Sequence, residues 1–456
     1  MKQQIKQEIY NAAWQAKKRN QEAIALLSDQ VSLEEYRHLV KKEPWGDIWT
    51  EALQRALQEH EIIIIPASEQ VYWLDQTVVI PSNRRIEASG AIIRLVADCE
   101  VIMLRNEHTH DGTLEPITGE DCDENISIHG GSWEECSTGR GIRKYAENAE
   151  GFHGVQTLML FNNLKHLTIS DVTFARAKSF SVQVGDLKDG VFENFFFVGC
   201  FADGLHVNGN TENLWIRNFS GHVGDDLVAL NMYDWLGSSI NYGPACNIFC
   251  EEIHSAPDSK AKAMRLQPGR FEFKNGQIVD CRLENVYIRK VSGIFEYKLY
   301  WQTPPYRLGE KPEGAGVGSA NNVFYEDIHV ISNREWYPVD DPITGHFGMF
   351  FLNSNIGYVS LENIEYIRRP NESPRSYLIA VGPMSYRNGD VEVFDPYAES
   401  VVDTLELENI QIDGRRVDKI EEILHEIAFD DVNQDGFSSG KGTVNRIILD
   451  GKQIKG

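Results

Sequence analysis

Two short strings of the sequence place acidic residues where they could carry out acid/base chemistry together. Residues 201–208 read Phe-Ala-Asp-Gly-Leu-His-Val-Asn, and residues 224–231 read Gly-Asp-Asp-Leu-Val-Ala-Leu-Asn. Asp203 and Asp226 are 23 positions apart, which is too short for a βαβ unit but long enough for one coil of a parallel β-solenoid. Equivalent positions on successive coils lie roughly 4.8 Å apart. The spacing therefore predicts that Asp203, Asp225 and Asp226 form a carboxylate cluster, suited to catalysis on a neutral, hydroxyl-rich substrate.

The rest of the chain supplies the short strands that such a solenoid needs. β-Branched runs separated by turn residues recur from Ile62-Ile-Ile-Ile-Pro66 to Ile447-Ile-Leu449, without long amphipathic helices between them. The 23-residue offset also pairs apolar positions, namely Val191 with Leu214, Phe192 with Trp215 and Phe196 with Phe219. These features predict an all-β fold, a right-handed parallel β-helix.

The first 60 residues carry helical rather than strand periodicity. Apolar residues recur at helical spacing around Ile5 and Ile9 and again around Leu53, and Ser32-Leu-Glu-Glu35 fits a capping box. An open solenoid end exposes core and unpaired strand edges, so part of this segment is predicted to cap the first coil. We expect an N-terminal helical segment and cap over 1–60 and a catalytic β-helix over 61–456. Breaks in the period at 134–156, 232–245, 300–320 and 368–400 predict loops beside the site.

The composition excludes some partners. The formal net charge of −24 disfavours nucleic acid and anionic membranes, which attract basic surfaces. The N-terminus lacks the apolar stretch of a signal peptide, and no run approaches the ~20 apolar residues of a membrane span. Seven cysteines, an odd number, show no disulfide or zinc-ligand pattern. We expect a cytoplasmic protein with reduced cysteines and no cofactor, and the sequence leaves its oligomeric state open.

The two acidic strings resemble motifs of the polygalacturonase family, glycoside hydrolase family 28. Phe201-Ala-Asp-Gly204 is similar to the family's Asn-Thr-Asp-Gly, and Gly224-Asp-Asp226 to its Gly-Asp-Asp at the right separation. Asn125-Ile-Ser-Ile-His-Gly-Gly-Ser-Trp133 resembles its early glycine-rich coil. The resemblance implies a pectin-lyase-like β-helix and an inverting glycosidase, with Asp225 as the general acid and Asp203 and Asp226 holding the attacking water.

The chain departs from the family where substrate-binding residues follow. In place of Gly-His-Gly and Arg-Ile-Lys, the next coils read Ala261-Lys-Ala-Met-Arg-Leu266 and Gly293-Ile-Phe-Glu-Tyr-Lys-Leu299. By coil order, Lys262 or Arg265 lies near the missing histidine, and Lys298 matches the family's lysine. Further candidates that could reach a sugar are polar or aromatic residues near these strings: His206, His222, Tyr233, Trp235, Tyr300 and Trp301. His222 could instead orient an aspartate.

The favoured function is an exo-acting hydrolase of short oligosaccharides, which could be pectic or contain uronates. A β-helix lyase, an epimerase, a glycosyl-transferring enzyme and a non-catalytic carbohydrate-binding solenoid are the alternatives. Asn208 and Asn231 are expected to stack as an amide ladder. Asp431, Asn433 and Asp435 match the first half of a calcium loop, but Gly442 stands where its bidentate carboxylate belongs. A polar turn is therefore the default, and no metal is predicted.

Overall fold

The structure is a computed structural model, and it describes residues 2–113, 115–119, 121–141, 157–234, 238–256, 261–293, 318–331, 347–368, 376–382, 399–428 and 441–456. Two α-helices lie within these ranges, α1 over Lys2–Ile24 and α2 over Thr50–Glu59. Two 3-10 helices span Leu33–Leu39 and Ile420–Glu422. The remaining elements of the described ranges are short and long strands.

These strands are numbered β1 to β30 in chain order. The first fifteen are Gln30–Ser32, Lys41–Glu43, Gly46–Ile48, Ile62–Ile64, Tyr72–Leu74, Val78–Ile80, Arg84–Glu87, Ile92–Leu95, Leu104–Asn106, Asp123–His129, Ser132–Glu134, Thr157–Ala175, Phe180–Val198, Leu205–Val207 and Thr211–Gly221. The other fifteen are Asp226–Asn231, Ala245–Ser255, Lys262–Gln267, Gly269–Glu272, Ile278–Cys281, Leu283–Gly293, Ser319–Ile331, Phe347–Leu352, Asn355–Ile367, Ser376–Val381, Glu399–Ile412, Arg415–Arg416, Leu424–Glu426, Lys441–Leu449 and Lys452–Lys455.

Successive coils pair in parallel along the length of the molecule. β14, for example, pairs with 182–184 of β13 on one side and with 228–230 of β16 on the other. The inward-facing side chains of these coils form one continuous apolar core that reaches from Val31 to Leu449. The predicted right-handed parallel β-helix is confirmed. Its repeat is set by the requirement that each strand bond both neighbouring coils.

The register of β13 with β15 differs by one residue from the sequence prediction. Val191 pairs with Trp215, Phe192 with Ile216 and Phe196 with Ser220. The offset is 24 instead of 23, so all three predicted pairs, with Leu214, Trp215 and Phe219, are wrong. Between β13 and β14 the offset is still 23. The additional residue therefore lies in the bend after β14, where Asn210 takes a positive φ of 56°.

Asparagine ladders mark one corner of the coils. Side-chain amides there donate from coil to coil at 2.7–3.2 Å, as in Asn125 to Asn83, Asn247 to Asn213, Asn285 to Asn247 and Asn322 to Asn285. All of these residues have a positive φ between 53° and 60°, a conformation that asparagine tolerates better than most residues. Asn208 and Asn231 do not form the ladder expected of them, because Asn208 donates to the Asn231 carbonyl and Asn231 donates to Asp234.

The N-terminal residues supply the predicted cap through α2. Its buried face carries Ala52, Leu53, Ala56 and Leu57, which pack into the main core beside β4 and β6. The predicted capping box at Ser32 begins a 3-10 helix, with the serine hydroxyl accepting the Glu34 N–H at 3.4 Å. Short strands β1 to β3 separate these helices, so the segment is not purely helical.

Helix α1 lies along the side of the solenoid. It covers an in-register column of outward-facing apolar side chains: Val191, Trp215, Phe249, Tyr287 and Phe324. A second column of charged residues, beside the apolar one, forms ion pairs with lysines of α1. Lys6 is buried and donates to both Glu326 and Glu362 at 2.7 Å, and Lys17 donates to Glu193. The helix thus ties several coils together.

Within the described residues, neither α-helix has the combination of length and apolar sequence that a membrane crossing requires. All seven cysteines lie within the described residues, and none of them forms a disulfide bond. Cys200, Cys250 and Cys281 are buried, and the other four are partly exposed.

Lys6→Met is expected to loosen α1 from the β-helix. Removing one partner of a buried ion pair leaves uncompensated charge and is typically worth about 3 kcal/mol, which is roughly a 10²-fold rise in local opening. Hydrogen exchange of 2–24, followed by mass spectrometry, measures this. Gln7→Met, at an exposed position of the same helix, is the matched control. Unchanged exchange in Lys6→Met means that this ion pair does not anchor the helix.

Candidate active site

Two in-register columns of side chains define the candidate site. The first contains Asp203, Asp226 and Lys262, since Asp226 pairs with Lys262 and the Gly204 N–H donates to the Asp226 carbonyl. The second contains His206, Ala229 and Arg265. The strands responsible are β14, β16 and β18, which stack directly on one another. The β-helix register therefore brings residues as much as 62 positions apart onto one small surface.

Two glycines let the coils approach closely at this point. A Cβ on Gly204 would lie 2.6 Å from the Leu227 carbonyl oxygen, and one on Gly224 would lie 2.2 Å from that of Phe201. Both distances are well below ordinary contact, so larger residues would push the coils apart. Asp226 is the first residue of β16, and Asp225 precedes the strand. Because Asp225 lies in the bend, it escapes the strand alternation and shares the cleft with Asp226.

The three aspartates lie together. One carboxylate oxygen from each of Asp203, Asp225 and Asp226 lies within 4.8 Å of the others. The Asp226 backbone N–H also donates to Asp203 Oδ1 at 3.1 Å. Exposure separates them, since the side chain of Asp225 is 19% exposed, while those of Asp203 and Asp226 are 2% and 0% exposed. Of the three, Asp225 is the one that a large ligand can touch.

Three cations surround Asp225. Its Oδ1 accepts from Lys262 Nζ at 2.7 Å and from Arg265 Nη2 at 3.2 Å, and its Oδ2 accepts from Arg140 Nη1 at 3.0 Å. Burial alone raises the pKa of Asp225, but these three positive charges outweigh it and hold the pKa far below the usual aspartate range. Asp225 is a carboxylate in the free protein.

The pKa of Asp226 is shifted in the opposite direction, upwards. Complete burial raises its pKa, the charges of Asp225 and Asp203 raise it further, and the attraction of Arg265 and Lys262 offsets only part of this. The result is a pKa of about 7. Arg265 Nε lies 2.9 Å from Asp226 Oδ2 and Lys262 Nζ lies 3.5 Å from Oδ1. Neighbouring carboxyls with such different surroundings titrate as one coupled pair.

His206 is buried behind the aspartates. Its Nδ1 lies 2.7 Å from Asp203 Oδ2, its Nε2 lies 3.2 Å from Asp234 Oδ2, and Phe180 stacks on the ring at 4.0 Å. Burial lowers the pKa of His206, but the two carboxylates outweigh burial and raise it to about 9. The predicted sugar contact by His206 is wrong, because the ring is 1% exposed and both nitrogens already face carboxylates.

Some of the other predicted site residues lie elsewhere. Tyr233 is buried in the core beside Tyr242, so its predicted role as a sugar platform is also wrong. His222 lies in the connection before β16, where its backbone N–H bonds the Phe197 carbonyl. Seven candidates fall outside the described residues, namely Trp235, Lys298, Tyr300 and Trp301 for the sugar and Asp431, Asn433 and Asp435 for calcium.

Sequence reasoning missed Arg140, Asp234 and Phe180. Arg140 reaches Asp225 from 85 residues upstream, inside a segment that the broken period marked only as a loop. Asp234 lies in a second such loop, and it carries no motif. The three-residue step from Asp203 to His206 and from Asn231 to Asp234 was a usable signal, because each step ends in a side-chain hydrogen bond.

The aspartate cluster has the spacing of a metal site but not its electrostatics. Carboxylate oxygens suit hard cations such as Mg²⁺ or Ca²⁺. Lys262, Arg265 and Arg140 already supply positive charge within 3.5 Å of these oxygens. A divalent ion would have to displace them against their repulsion, so the residues present do not fit one.

Comparison with known proteins finds likeness in structure alone. No protein-family model and no curated protein matches the sequence. Solved structures do match. An exopolygalacturonase from Thermotoga maritima is 12% identical, with 94% of this chain and 99% of that chain covered and a TM-score of 0.49. A family 28 exopolygalacturonase from Yersinia enterocolitica is 11% identical, with 93% and 78% covered and a TM-score of 0.49.

A third similar structure is the catalytic domain of a GH87 α-1,3-glucanase in complex with nigerose. It is 13% identical, with 80% of this chain and 64% of that chain covered and a TM-score of 0.43. At these identities and TM-scores we transfer neither activity nor substrate from any of the three.

Asp226→Asn and Asp225→Asn are expected to change stability in opposite directions. The folded protein holds the Asp226 proton more tightly than the unfolded chain, so this carboxyl favours folding at low pH and disfavours it as pH rises from about 4 to about 7. Asp226→Asn should raise the melting temperature at pH 8 by about 2–4 °C, with little change at pH 4.

Asp225, with its lowered pKa, contributes stability above the unfolded aspartate pKa and loses it as pH falls. Asp225→Asn should therefore lower the melting temperature at pH 8. Thermal melts followed by circular dichroism at both pH values measure the two variants side by side. For Asp226→Asn, equal shifts at pH 4 and pH 8 would contradict the inferred charge state. For Asp225→Asn, a melting temperature at pH 8 that does not fall would do so.

Proposed function

We propose that this protein is a glycoside hydrolase that cleaves short oligosaccharides by acid/base catalysis with Asp203, Asp225 and Asp226. One observation carries the proposal: adjacent carboxyls have pKa values pushed in opposite directions. Three cations keep Asp225 ionised, while Asp226 has a pKa of about 7. Pairs of titratable groups whose surroundings separate their pKa values are typical of acid/base catalysis.

Exposure suggests how the roles divide. A glycosidic oxygen must touch its proton donor, and Asp225 is the accessible carboxyl. Asp203 and Asp226 are too buried in the free site to touch a sugar carbon. This division agrees with what the resemblance implies, with Asp225 as the acid and the other two as holders of the attacking water.

The donor needs a proton that Asp225 lacks in the free site. Asp226 holds one near neutral pH, and the two carboxyls act as a pair that shares it. Arg140 is 57% exposed, so an incoming sugar can displace it and raise the proton affinity of Asp225. The proton then passes through Asp225 to the leaving oxygen as the C–O bond breaks. Water adds to the sugar carbon and gives its own proton to Asp203.

The substrate class follows from the chemistry of the cleft. Lys262 and Arg265 can donate to hydroxyl groups from beside Asp225. Exo action, a uronate-containing substrate and a cytoplasmic location remain predictions from the sequence. A lyase requires a deprotonated residue that can act as base, whereas the aspartates beside Lys262 and Arg265 keep both of them charged, and this favours hydrolysis.

A panel of aryl glycosides and uronide oligosaccharides tests the function. We expect new reducing ends without ultraviolet absorbance, the result for a hydrolase. Absorbance of an unsaturated uronate would instead identify a lyase, and binding without any product would identify a carbohydrate-binding solenoid.

On the best substrate of that panel, Asp225→Asn should lower kcat by at least ~10²-fold, because it removes the proton donor. Asp418→Asn, at an exposed position far along the chain, is the matched control and should retain full activity. The Asp225→Asn loss should be smaller on aryl glycosides with good leaving groups, which need less protonation. Near-normal turnover of Asp225→Asn on an oligosaccharide rejects its role as the acid.

We expect hydrolysis to invert the anomeric configuration. A retaining enzyme requires a carboxylate that attacks the sugar carbon directly, and two of the three aspartates are too buried to do so. The close spacing of the carboxylate oxygens is shorter than the roughly 6.5–9.5 Å typical of inverting pairs, so this prediction rests on burial. Proton magnetic resonance of the first-formed sugar decides it, and initial release of the substrate's own anomer contradicts inversion.

A further inference from the structure

We propose that His206 is a positioning residue of this site: held between Asp203 and Asp234, it orients the Asp203 carboxylate that holds the attacking water. The inference deepens the proposed function and rests on it for the role of Asp203. The buried Asp203–His206–Asp234 chain itself is independent of any reaction, and it can be tested without substrate.

The ring of His206 has a carboxylate at each nitrogen. Asp203 Oδ2 lies 2.7 Å from Nδ1 and Asp234 Oδ2 lies 3.2 Å from Nε2. A neutral imidazole has one N–H and can donate to only one of them, whereas an imidazolium donates to both. All three side chains are at most 3% exposed. A buried pair of carboxylates is far more stable with a cation between them than with a neutral ring.

The aspartate at each end of the Asp203–His206–Asp234 chain is fixed by a further hydrogen bond. Asp203 uses its second oxygen, Oδ1, to accept the Asp226 backbone N–H at 3.1 Å. At the other end, Asn231 donates to Asp234 Oδ2 at 2.9 Å. With a donor on each oxygen, the plane of the Asp203 carboxylate is set, and its remaining lone pairs are the ones available to a water.

The surroundings lock the ring itself. Phe180 stacks on His206 with planes 13° apart. The Asn208 amide nitrogen lies 3.3 Å from Nε2, but it donates to the Asn231 carbonyl at 3.1 Å, and its oxygen accepts from Gln183 and from the Ile240 N–H. The amide orientation is thus set by other partners, and it leaves Nε2 facing Asp234.

The loop after β16 completes this enclosure. It supplies Asp234, the Ser238 carbonyl that accepts from Gln183, and the Ile240 N–H. The charged groups that face the chain are Asp226 and Arg265, the latter interacting with both Asp203 and Asp234. An imidazolium here reduces the negative charge beside the aspartate cluster. That reduction lets Asp203 approach Asp225 and Asp226 while it keeps one orientation.

His206 does not relay the proton in this proposal. When water attacks, its O–H bond breaks and the proton goes to Asp203, while His206 keeps both of its protons. The consequence for kinetics is specific. A misoriented Asp203 slows the chemical step, but it leaves substrate binding nearly unchanged, because His206 does not touch the sugar.

Nuclear magnetic resonance of protein labelled with ¹⁵N-histidine tests the charged chain directly. At pH 7 we expect one histidine with protons on both ring nitrogens that exchange slowly with water, and its signals should be absent in His206→Gln. Asp234→Asn, a nearly isosteric change, should remove the Nε2 proton and leave a neutral ring. A wild-type ring with a single proton at pH 7 overturns the proposal.

Kinetics tests the positioning role. His206→Gln should lower kcat by about 10- to 100-fold with KM changed less than about threefold. Asp234→Asn should show a smaller loss and a shifted basic limb of the pH profile. His38→Gln, an exposed histidine of the cap region, is the matched control. Full activity in a folded His206→Gln or Asp234→Asn protein overturns the role, as does a loss that appears only in KM.

Failure of the proposed function and failure of the positioning role of His206 give different experimental results. If the wild-type protein cleaves nothing in the sugar panel, the proposed function fails and the positioning role fails with it. The spectrum still decides whether His206 is an imidazolium held between two carboxylates. If the wild type cleaves sugar and the spectrum shows a neutral ring, the positioning proposal fails while the glycosidase proposal stands.

Discussion

In-register stacking of coils is the constraint on which the rest of this structure depends. Each strand must satisfy its backbone hydrogen bonds on both neighbours, and this places equivalent residues about 4.8 Å apart. Residue types that recur at the coil period in the sequence are therefore brought side by side in the fold. Repeated apolar residues give the continuous core, repeated asparagines give the corner ladder, and repeated aspartates give the carboxylate cluster.

The same constraint makes the aspartate cluster electrostatically unfavourable unless cations join it. Asp226 stacks beside Asp203 with no exposure to water, which explains its raised pKa. Lys262 continues the same column and Arg265 the neighbouring one, so the next coil supplies the compensating charge. His206, which is buried between Asp203 and Asp234, likewise supplies compensating positive charge to these two carboxylates. The site is one coupled set of charges, in which each member fixes the charge state of the next.

Sequence reasoning reached the features that local repetition carries. The parallel β-helix and the meeting of Asp203 with Asp226 follow from a short period that can be read directly, and the cap follows from the helical periodicity of the first 60 residues. It failed near Asn210, where one additional residue changes the offset between coils from 23 to 24. A single extra residue in a bend cannot be recognised from the composition of the sequence. It also failed at Arg140 and Asp234, since these lie in loops whose paths depend on the whole fold. The assignment of His206 failed because an outward strand position can still be covered by a loop, and that of Tyr233 failed because this residue, just after β16, packs into the core.

The position of α1 shows why one face of the solenoid is free for chemistry. An outward aromatic column such as Trp215, Phe249 and Tyr287 invites association with other chains if it stays exposed. The helix covers it, with Lys6 and Lys17 paired to the glutamates alongside. On the face of β14, β16 and β18, the outward positions are instead occupied by His206, Ala229 and Arg265. One outward column of the solenoid thus binds the N-terminal helix, and another carries the charged groups of the candidate site. Both columns result from the same in-register pairing of successive coils.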